Sequence, residues 1–460
     1  MNFTSQPLRF APISGHTVRA DFAGGGLSSD FGPLLLSGVD RQIGLTQRLS
    51  ASLFDRRHAS YVTHSYREIL SQRLFQIACG YEDANDANSL RHDPLFRMGV
   101  GRLPFGEESA LASAPTISRF EHAMTQRDIY RFSQALVEQY IASFATAPKA
   151  LILDLDHTED AVYGQQPLAF YNPFYQSTCY LPLVIFDGNS GAMVAAILRP
   201  GKRPVGAENA MIMKRVLKLL RKHFPQTSIL VRGDGHFSNP ELMQMIEAMP
   251  NMDFIFGLAG NARLHALAEP TKQRALAIWA AAQTEEVVPN AIRVFREFDY
   301  AAGTWVKEWR ILLKAEVNEF AETPRFVVTS LRGDSAELLY EEIYCGRGQA
   351  ENFIKHLKSD LASDRTSCTT FLANCMRLLQ HAAAYVLHQQ LRTEALQGTE
   401  LAQAQPSTII KKLFKIAVQV RQTKNRITLH LPSACPVQKL LYTLAERLFV
   451  PTPATVVNSS

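Results

Sequence analysis

The chain has 460 residues, of which 46% are hydrophobic and 20% are charged, and its net charge is +5. This composition is that of a soluble protein with a large buried core, and it excludes a disordered, collagen-like or coiled-coil chain. The length favours two or three domains, while the mild net charge by itself indicates no class of binding partner.

Residues 1–147 are predicted to form a mainly helical region. The first 35 residues are rich in Gly, Ser and Phe and show no helical period, which favours short strands or an extended arm. Apolar residues then recur at spacings of three and four through residues 44–80 and again through 116–144, a pattern typical of helices. A joint that contains a proline, at residues 147–149, ends this region.

Residues 148–395 begin with the pattern of a mixed α/β sheet. Short apolar runs typical of buried strands occur at residues 150–155, 179–187, 192–199 and 228–231. The second and third runs are separated by Gly-Asn-Ser-Gly at 188–191, which predicts a hairpin turn. An amphipathic helix is predicted between the last two strands, at 209–223.

The second half of this region is predicted to contain a β-rich insertion at about residues 262–334, where three runs alternate between apolar and polar residues. Helices resume at residue 335 and continue to about residue 395. A segment rich in Gln and Ala at 397–406 has the composition of a linker. Residues 396–460 form a separate, basic C-terminal region.

One stretch near residue 350 carries the most informative pattern. On a helix that turns about 100° per residue, five polar residues fall within an arc of about 80°, and apolar residues occupy the other side. These five residues are Tyr344, Arg347, Glu351, Lys355 and Lys358. A solvated helix face would also explain the stripe. However, Gly346 and Gly348 each cost a helix about 1 kcal/mol, which indicates that something else requires them.

Two further groups of carboxylates follow predicted strands. Asp154 and Asp156 lie at the end of the strand at 150–155, and Asp234 follows the strand at 228–231. Acids at the ends of buried strands are an expected source of Mg²⁺ ligands, and two such ions can activate an attacking oxygen and stabilise the leaving one. Together with Glu351 among its basic neighbours, these acids predict a metal-dependent phosphoryl-transfer site.

The spacing Tyr344-x2-Arg347-x3-Glu351-x6-Lys358 matches the Y-R-E-K signature of the DDE transposases of bacterial insertion sequences, which this chain resembles. The surrounding sequence is similar to the insertion-sequence 1380 family over about residues 35–395. The similar segments include LDLDHTEDAVYGQQ, FYNPFYQSTCYLPLVIF, RGDGHF and FGLAGNARL.

The resemblance implies an α/β fold with an RNase H-like, retroviral integrase-like catalytic core and a β-rich insertion between the second aspartate and the glutamate. It also implies that Asp156, Asp234 and Glu351 are the catalytic triad and hold two Mg²⁺ ions, for which Mn²⁺ can substitute. Asp156 is preferred as the first acid because the family's first aspartate commonly stands in a D-x-T context. Asp154 remains the alternative for that role.

The same resemblance implies DNA contacts near the cleaved end for Tyr344, Arg347 and Lys358, and the predicted helix face adds Lys355 to them. The implied activity is cleavage of double-stranded DNA at the inverted repeats of the mobile element, followed by transfer of the 3′-hydroxyl ends into target DNA. The N-terminal helical region would bind the repeats and support a homodimer, because two DNA ends must be brought together.

Targeting patterns agree with a protein that acts on DNA in the bacterial cytoplasm. The sequence has no secretory signal pattern and no apolar run near the roughly 20 residues of a membrane span. Its six cysteines are scattered without metal-ligand spacing. We therefore expect a cytoplasmic, nucleoid-associated protein that makes no membrane contact.

Two alternatives to an active transposase follow from the same residues. Residues 154–158 also resemble the D-x-D-x-T loop of haloacid-dehalogenase-like phosphatases, in which Asp154 would be the nucleophile and Asp156 the acid and base. That hypothesis leaves the stripe from Tyr344 to Lys358 unexplained, and Asn239 stands where a second acid would be expected. The other alternative is a catalytically inactive, transposase-derived DNA-binding protein.

The mild average charge hides two basic segments. Residues 199–222 and 407–460 each hold eight basic residues and one acidic residue, a net charge of +7 in each. The rest of the chain therefore carries a net charge of −9. Basic segments of this kind suit phosphate backbones, and in the second of them Lys411, Lys412 and Lys415 are predicted to contact DNA.

Overall fold

The structure is a computed structural model, and it describes residues 7–106, 110–283 and 289–449. Its α-helices are α1 (Gly32–Ile43), α2 (Leu45–Ala51), α3 (Tyr66–Ala78), α4 (Ala87–Leu90), α5 (Pro94–Gly99), α6 (Ala114–His122), α7 (Gln126–Ala142), α8 (Gly206–His223), α9 (Pro240–Glu247), α10 (Ala262–Ala282), α11 (Ala336–Leu338), α12 (Gln349–Lys355), α13 (Phe371–Gln390), α14 (Pro406–Ile409) and α15 (Gln438–Phe449).

Strands and irregular helical turns complete the described chain. The strands are β1 (Leu8–Ile13), β2 (His16–Ala20), β3 (Leu27–Ser28), β4 (Ala150–His157), β5 (Asp160–Ala161), β6 (Phe170–Asn172), β7 (Ser177–Tyr180), β8 (Leu183–Asp187), β9 (Met193–Ile197), β10 (Ser228–Gly233), β11 (Met252–Leu258), β12 (Ile292–Tyr300), β13 (Trp309–Val317), β14 (Glu322–Thr329), β15 (Val418–Gln422) and β16 (Ile427–His430). π-helical turns occur at Leu339–Tyr344, His356–Asp360, Leu391–Ala395 and Ile410–Phe414, and 3₁₀ turns at Ala59–Tyr61, Ala84–Asp86 and Cys345–Gly348.

The chain divides into two compact units, with one boundary after residue 123 and the other within α13. The first unit combines residues 1–123 with residues 383–460. One of the two sheets that its described residues form has the strand order β16-β15-β3, so a strand near the C-terminus pairs with one near the N-terminus. The sequence predicted two separate regions here, because local patterns carry no information about which distant segments pair.

Residues 124–382 form the second unit, which is built on an eight-stranded sheet with the order β12-β13-β14-β11-β10-β4-β8-β9. Strands β4, β10 and β11 are parallel to one another. The hairpin β8–β9 pairs antiparallel with β4 on one side, and β14 pairs antiparallel with β11 on the other. Helix α7 also belongs to this unit, although the sequence analysis placed it in the N-terminal region.

The two faces of the sheet bury different sets of helices. Alternate residues of β4, including Leu153 and Leu155, pack with α7, α8, α9 and α10 in one large apolar cluster. Since successive strand residues point to opposite faces, Asp154 and Asp156 both lie on the other face. The helical segment that begins at α11 packs on that other face, through Leu339 and Tyr340 against Ile255.

Several predicted elements are confirmed. The turn at residues 188–191 joins β8 and β9 as a hairpin, and the amphipathic helix is α8. The predicted β-rich insertion is partly wrong, because its first 21 residues form helix α10. Its three strands, β12 to β14, do form, and they extend the same sheet. Within the described residues no helix is long and apolar enough to cross a membrane.

Candidate active site

The carboxyl ends of β4 and β10 bring two of the predicted acids together. These strands are parallel neighbours, and their register pairs Arg232 with Asp154 and Gly233 with Leu155. Asp156 is the next residue of β4, and Asp234 directly follows the end of β10. Because neighbouring strands lie about 4.8 Å apart, this register makes the two aspartates adjacent at one edge of the sheet.

Asp154 and Asp156 have different partners although they lie on the same face. The carboxylate of Asp154 is fully buried and accepts hydrogen bonds from Arg232 at both oxygens, from Nε at 2.6 Å and from Nη2 at 2.7 Å. Burial raises the pKa of Asp154, and Arg232 opposes that rise. Asp154 is therefore half of a buried ion pair, whereas Asp156 lies nearer to solvent.

The buried ion pair also supports the helical segment that carries the Y-R-E-K residues. Arg232 Nη1 donates to the backbone oxygen of Ile343 at 2.8 Å, one residue before Tyr344. Two glycines leave room for this guanidinium. A Cβ on Gly188 would lie 2.5 Å from Nη2, and a Cβ on Gly346 would lie 2.8 Å from Nη1. The close approach of Arg232 explains why the helical segment contains Gly346.

Replacing this glycine tests the close approach. We expect Gly346→Ala to lower the free energy of unfolding by about 1–3 kcal/mol, because Arg232 is held by Asp154 and cannot yield to the methyl group. Gly348→Ala is the matched control. A Cβ there would meet nothing within 4 Å, and alanine favours the helix by up to about 1 kcal/mol. Urea denaturation of both variants gives the comparison, and equal stabilities would contradict the steric explanation.

Asp156 lies in an environment that disfavours its charge. Its side chain is 14% exposed, and Arg347 Nη2 donates to its Oδ2 at 3.0 Å. Burial raises the pKa of Asp156 to about 7; Arg347 opposes this rise, while the carboxylates of Asp234 and Glu351 add to it. The three acids are thus close enough to repel one another, and a single guanidinium offsets only part of their charge.

Asp234 and Glu351 are the more accessible members of the predicted triad. Asp234 is one-third exposed, and its Oδ1 accepts a hydrogen bond from the backbone N–H of His236 at 3.0 Å. Glu351 is exposed in the first turn of α12, which packs against β4 and β8. Phe353 anchors that helix, with its ring centroid 5.5 Å from that of Phe186.

The five polar residues from Tyr344 to Lys358 do not lie on one regular helix. The predicted constant turn of about 100° per residue is therefore wrong for this segment. The chain passes from π-helical turns through a 3₁₀ turn into α12 and then into a second π-helical segment. Arg347 nevertheless reaches Asp156, and Lys358 Nζ donates to the backbone oxygen of Glu159. Lys355 is exposed.

Tyr344 faces a cavity of about 480 Å³ next to the second aspartate. Gly235, Gly257, His265 and Tyr340 also line this cavity. A Cβ on Gly257 would lie 2.7 Å from the Tyr344 hydroxyl oxygen, so the glycine in β11 permits the close approach of the phenol. Burial is the main cause that raises the pKa of Tyr344.

Some cations of the basic segments are already paired within the chain. In the second segment, Lys411, Lys412 and Lys415 are all exposed. Lys415, however, pairs with the buried Asp30 at 2.7 Å and lies 3.6 Å from the ring centroid of Tyr81. These contacts favour a structural role for Lys415 within the first unit. Arg199, in the other segment, is buried against Glu208.

The sequence analysis did not identify Arg232 or Tyr175 as residues of this site. Arg232 precedes Asp234 by two residues, as Asp154 precedes Asp156, and that shared spacing on parallel strands was a signal for the pair. Tyr175 stands in the similar segment FYNPFYQSTCYLPLVIF, which gave no role to any one of its residues. It is half-buried, and burial together with the charges of Asp156 and Asp234 raises its pKa to about 12.

The donors at this edge of the sheet fit a hard divalent cation in their chemistry. All three acids supply carboxylate oxygens, the ligand type that Mg²⁺ prefers. Burial is the main cause that raises the pKa of Asp156, and the carboxylates of Asp234 and Glu351 add to it; a bound cation would neutralise part of this negative charge. Nowhere in residues 7–106, 110–283 and 289–449 are three His, Cys, Asp or Glu side chains already arranged as a coordination set.

The family model described as Transposase DDE domain group 1 matches residues 10–451. The chain belongs to this DDE transposase family. Among solved structures, this DDE transposase chain is similar to the piggyBac transposase synaptic complex with hairpin DNA, with 13% sequence identity and a TM-score of 0.43. The similarity covers 83% of this chain and 79% of that one. No curated protein matches the sequence.

Proposed function

We propose that this protein is an active transposase that cleaves DNA at the inverted repeats of its own mobile element and joins the ends to target DNA. One observation carries the proposal. Asp156 is the neighbour of Asp234 across parallel strands, on the sheet face that also receives Arg347 and Glu351 from the helical segment of the Y-R-E-K motif. We place the protein in the insertion-sequence 1380 branch because of the segments that surround this motif.

The strand order supports an RNase H-like core for the second unit. Strands β9, β8 and β4 form an antiparallel set, and β10 and β11 continue from β4 in parallel, with α8 and α9 as the connections. The first two acids stand at the ends of the two central strands of this set. Such an arrangement is the one that we expect for an RNase H-like catalytic domain.

In the proposed mechanism, Asp156, Asp234 and Glu351 hold the divalent cations. Two Mg²⁺ ions, when bound, would activate the attacking oxygen and stabilise the leaving one. Water would break a phosphodiester bond and leave a 3′-hydroxyl and a 5′-phosphate. That 3′-hydroxyl would then displace a 3′-oxygen from a phosphate of the target in an in-line reaction.

Basic and aromatic residues would hold the DNA. Arg347, next to Asp156, is placed to offset negative charge when a phosphate enters, and Lys355, Lys358 and Tyr344 would bind the flanking backbone. The first unit, with the exposed Lys411 and Lys412, would bind the inverted repeats. We further propose a homodimer that joins two ends, acting on the bacterial nucleoid.

The phosphatase alternative is disfavoured by the environment of its nucleophile. In that alternative Asp154 would attack the phosphate, yet its carboxylate is fully buried and both oxygens accept hydrogen bonds from Arg232. An inactive DNA-binding descendant is the remaining alternative, and the presence of all three acids argues against it.

A cleavage assay tests the proposal. The substrate is a duplex with the terminal repeat that flanks the gene, and we expect cleavage in Mg²⁺ that stops when EDTA removes the metal. Glu351→Gln should lower the rate at least about 100-fold, because it removes one charged ligand from the site. Glu342→Gln, an exposed glutamate in the same helical segment, is the matched control and should keep the wild-type rate. Equal rates for the two variants would contradict the role of Glu351, and a lack of cleavage by the wild-type protein would contradict the proposal itself.

A further inference from the structure

The first basic segment, residues 199–222, holds most of helix α8, and this helix turns its cations toward solvent. At about 100° per residue, four exposed basic residues fall within an arc of about 100° on one side of the helix. They are Lys214, Arg215, Lys218 and Lys222, and we call them the basic strip. The large apolar cluster receives the residues of the opposite side, Met213, Val216, Leu217 and Leu220.

The charge of the basic strip is not compensated within the described part of the chain. Lys214, Lys218 and Lys222 stand four residues apart, so their side chains are neighbours on successive turns and repel one another. The acid of α8, Glu208, is bound by Arg199. No ion pair between described residues includes a member of the strip. The strip therefore lowers the stability of the helix, and an anionic ligand would explain why it is there.

Helix α7, which packs beside α8, extends this basic surface. The guanidinium carbon of Arg215 lies 5.3 Å from the ring centroid of Tyr130, whose side chain is 41% exposed. Arg127 stands three residues before Tyr130, on the same side of α7, and is exposed as well. The exposed acid of α7, Glu138, lies about two turns further along the helix. Cations of two packed helices thus form one continuous surface.

The basic strip lies on the side of the large sheet opposite to the acids of the proposed active site. Helix α8 packs against Leu153 and Leu155 of β4, while Asp156 points to the other face. The helix ends shortly before β10, so Lys222 lies toward the edge at which that strand begins, and Asp234 follows the edge at which it ends. The six residues of β10 separate these edges by about 20 Å. A straight duplex with a phosphate at the acids therefore cannot also lie along the strip.

Double-stranded DNA is the polyanion that fits this surface. The row of three lysines covers about 12 Å of helix, and a duplex presents one phosphate charge per about 1.7 Å of its axis. Lysine binds phosphate as a point charge and reads no base sequence. A helix that binds a membrane surface needs a free apolar side, whereas the apolar side of α8 is buried in the core.

We propose that the basic strip is a sequence-independent site for double-stranded DNA, separate from the acids at the strand ends. It takes a duplex segment other than the one whose phosphate is cut. This inference rests on the proposed function for the DNA at the acids, and it adds a second place at which the same unit holds DNA.

Lysine acetylation tests the site on the wild-type protein. The probe is a short duplex of arbitrary sequence without the terminal repeat, in EDTA so that no strand is cut. With the duplex bound, Lys214, Lys218 and Lys222 should lose most of their reactivity toward the acetylating reagent, as measured by mass spectrometry of peptides. Lys272 and Lys307, each of which is paired with a glutamate, should stay as reactive as before.

A triple variant measures how much the strip contributes to binding. That variant is Lys214→Gln/Lys218→Gln/Lys222→Gln. It should bind the same duplex at least about tenfold more weakly at low salt, and the slope of log K against log [salt] should become less steep by about 2.7, since each phosphate contact contributes about 0.9. The matched control removes the same charge from cations that are paired with acids, and it should keep the wild-type affinity and slope. This control is Lys272→Gln/Lys307→Gln/Arg332→Gln.

Three results would overturn the proposal. The first is unchanged acetylation of the strip lysines when the duplex is bound. The second is an equal loss of affinity in both triple variants, because binding would then follow net charge rather than this surface. The third is wild-type affinity in the strip variant, and a changed oligomeric state of that variant in sedimentation would then identify the strip as a protein interface.

Neither measurement depends on cleavage or on the terminal repeat, so the two proposals fail separately. A protein that cleaves its end duplex but leaves the strip lysines reactive would contradict the strip alone. A protein whose strip is protected by the duplex but that never cleaves DNA would contradict the proposed nuclease activity and leave the strip as a DNA site.

Discussion

Asp156→Asn is expected to lower the rate of Mg²⁺-dependent DNA cleavage by at least about 1,000-fold without unfolding the protein. Charge stabilisation at a metal-dependent phosphoryl-transfer site is worth several kcal/mol, and each 1.36 kcal/mol is a factor of ten in rate. Asparagine has the shape of aspartate and removes a charge that Asp234 and Glu351 oppose. The melting temperature should therefore stay the same or rise.

Two measurements on one preparation check this expectation. Single-turnover cleavage of an end-containing duplex gives the rate, and thermal unfolding followed by circular dichroism gives the stability. A variant that cleaves DNA at the wild-type rate would exclude Asp156 as the first acid. A variant that is inactive because it has unfolded would be recognised by its melting curve.

Asp154→Asn is expected to lower stability rather than act directly on the reaction, with a loss of about 3–5 kcal/mol in the free energy of unfolding. The reason is that the substitution leaves the guanidinium of Arg232, which is buried as well, without its counter-charge. The same loss would loosen the contact between Arg232 and the backbone of Ile343. Cleavage should fall as a consequence of this loosening, while the requirement for Mg²⁺ remains.

Chemical denaturation measures this loss, and a double variant supplies its control. Asp154→Leu/Arg232→Met replaces the ion pair by apolar side chains of similar size, a change that is often neutral or stabilising in other buried pairs. We expect it to recover most of the stability lost in Asp154→Asn. If Asp154→Asn is as stable as the wild type but inactive, while Asp156→Asn is active, Asp154 is the first acid and the assignment is reversed.

Local patterns sufficed for the elements whose periodicity is strong. The hairpin at residues 188–191 and helix α8 were predicted within a few residues, because alternation and the 3.6-residue period are properties of short segments. Helix α10 was missed. Its buried residues, Leu264, Ala268 and Ala275, are mostly small, and Pro270 lies inside it, so its apolar stripe is weak and it contains a residue that usually ends a helix.

The positions of the acids at strand ends could also be predicted in part. The apolar run before Asp154 and Asp156 predicted a buried strand, and the period of two puts both aspartates on one face. The D-x-T context favoured Asp156 as the first acid, but no pattern in the sequence predicted the ion pair of Asp154. That ion pair depends on Arg232, which lies 78 residues further along the chain and meets Asp154 only because β4 and β10 are parallel neighbours.

The Y-R-E-K segment also shows which features the sequence could predict and which it could not. Its residue spacing identified the family, since the spacing is a property of the sequence alone. Its course through π-helical and 3₁₀ turns was not predictable, because a helix adopts such turns when contacts outside it compensate for the poorer hydrogen bonds. Here Arg232 binds the backbone of Ile343, and Gly346 lets the guanidinium approach.

The sequence alone therefore determined the mixed α/β class and the family, which depend on residue type and short-range spacing, and the residues of the candidate site remain its prediction. Tertiary structure was needed to assign Asp154 to a buried ion pair, to leave Asp156 beside Arg347, and to combine the two ends of the chain in one unit. Each of these outcomes depends on the pairing of segments that are far apart in the chain, and no local pattern specifies such a pairing.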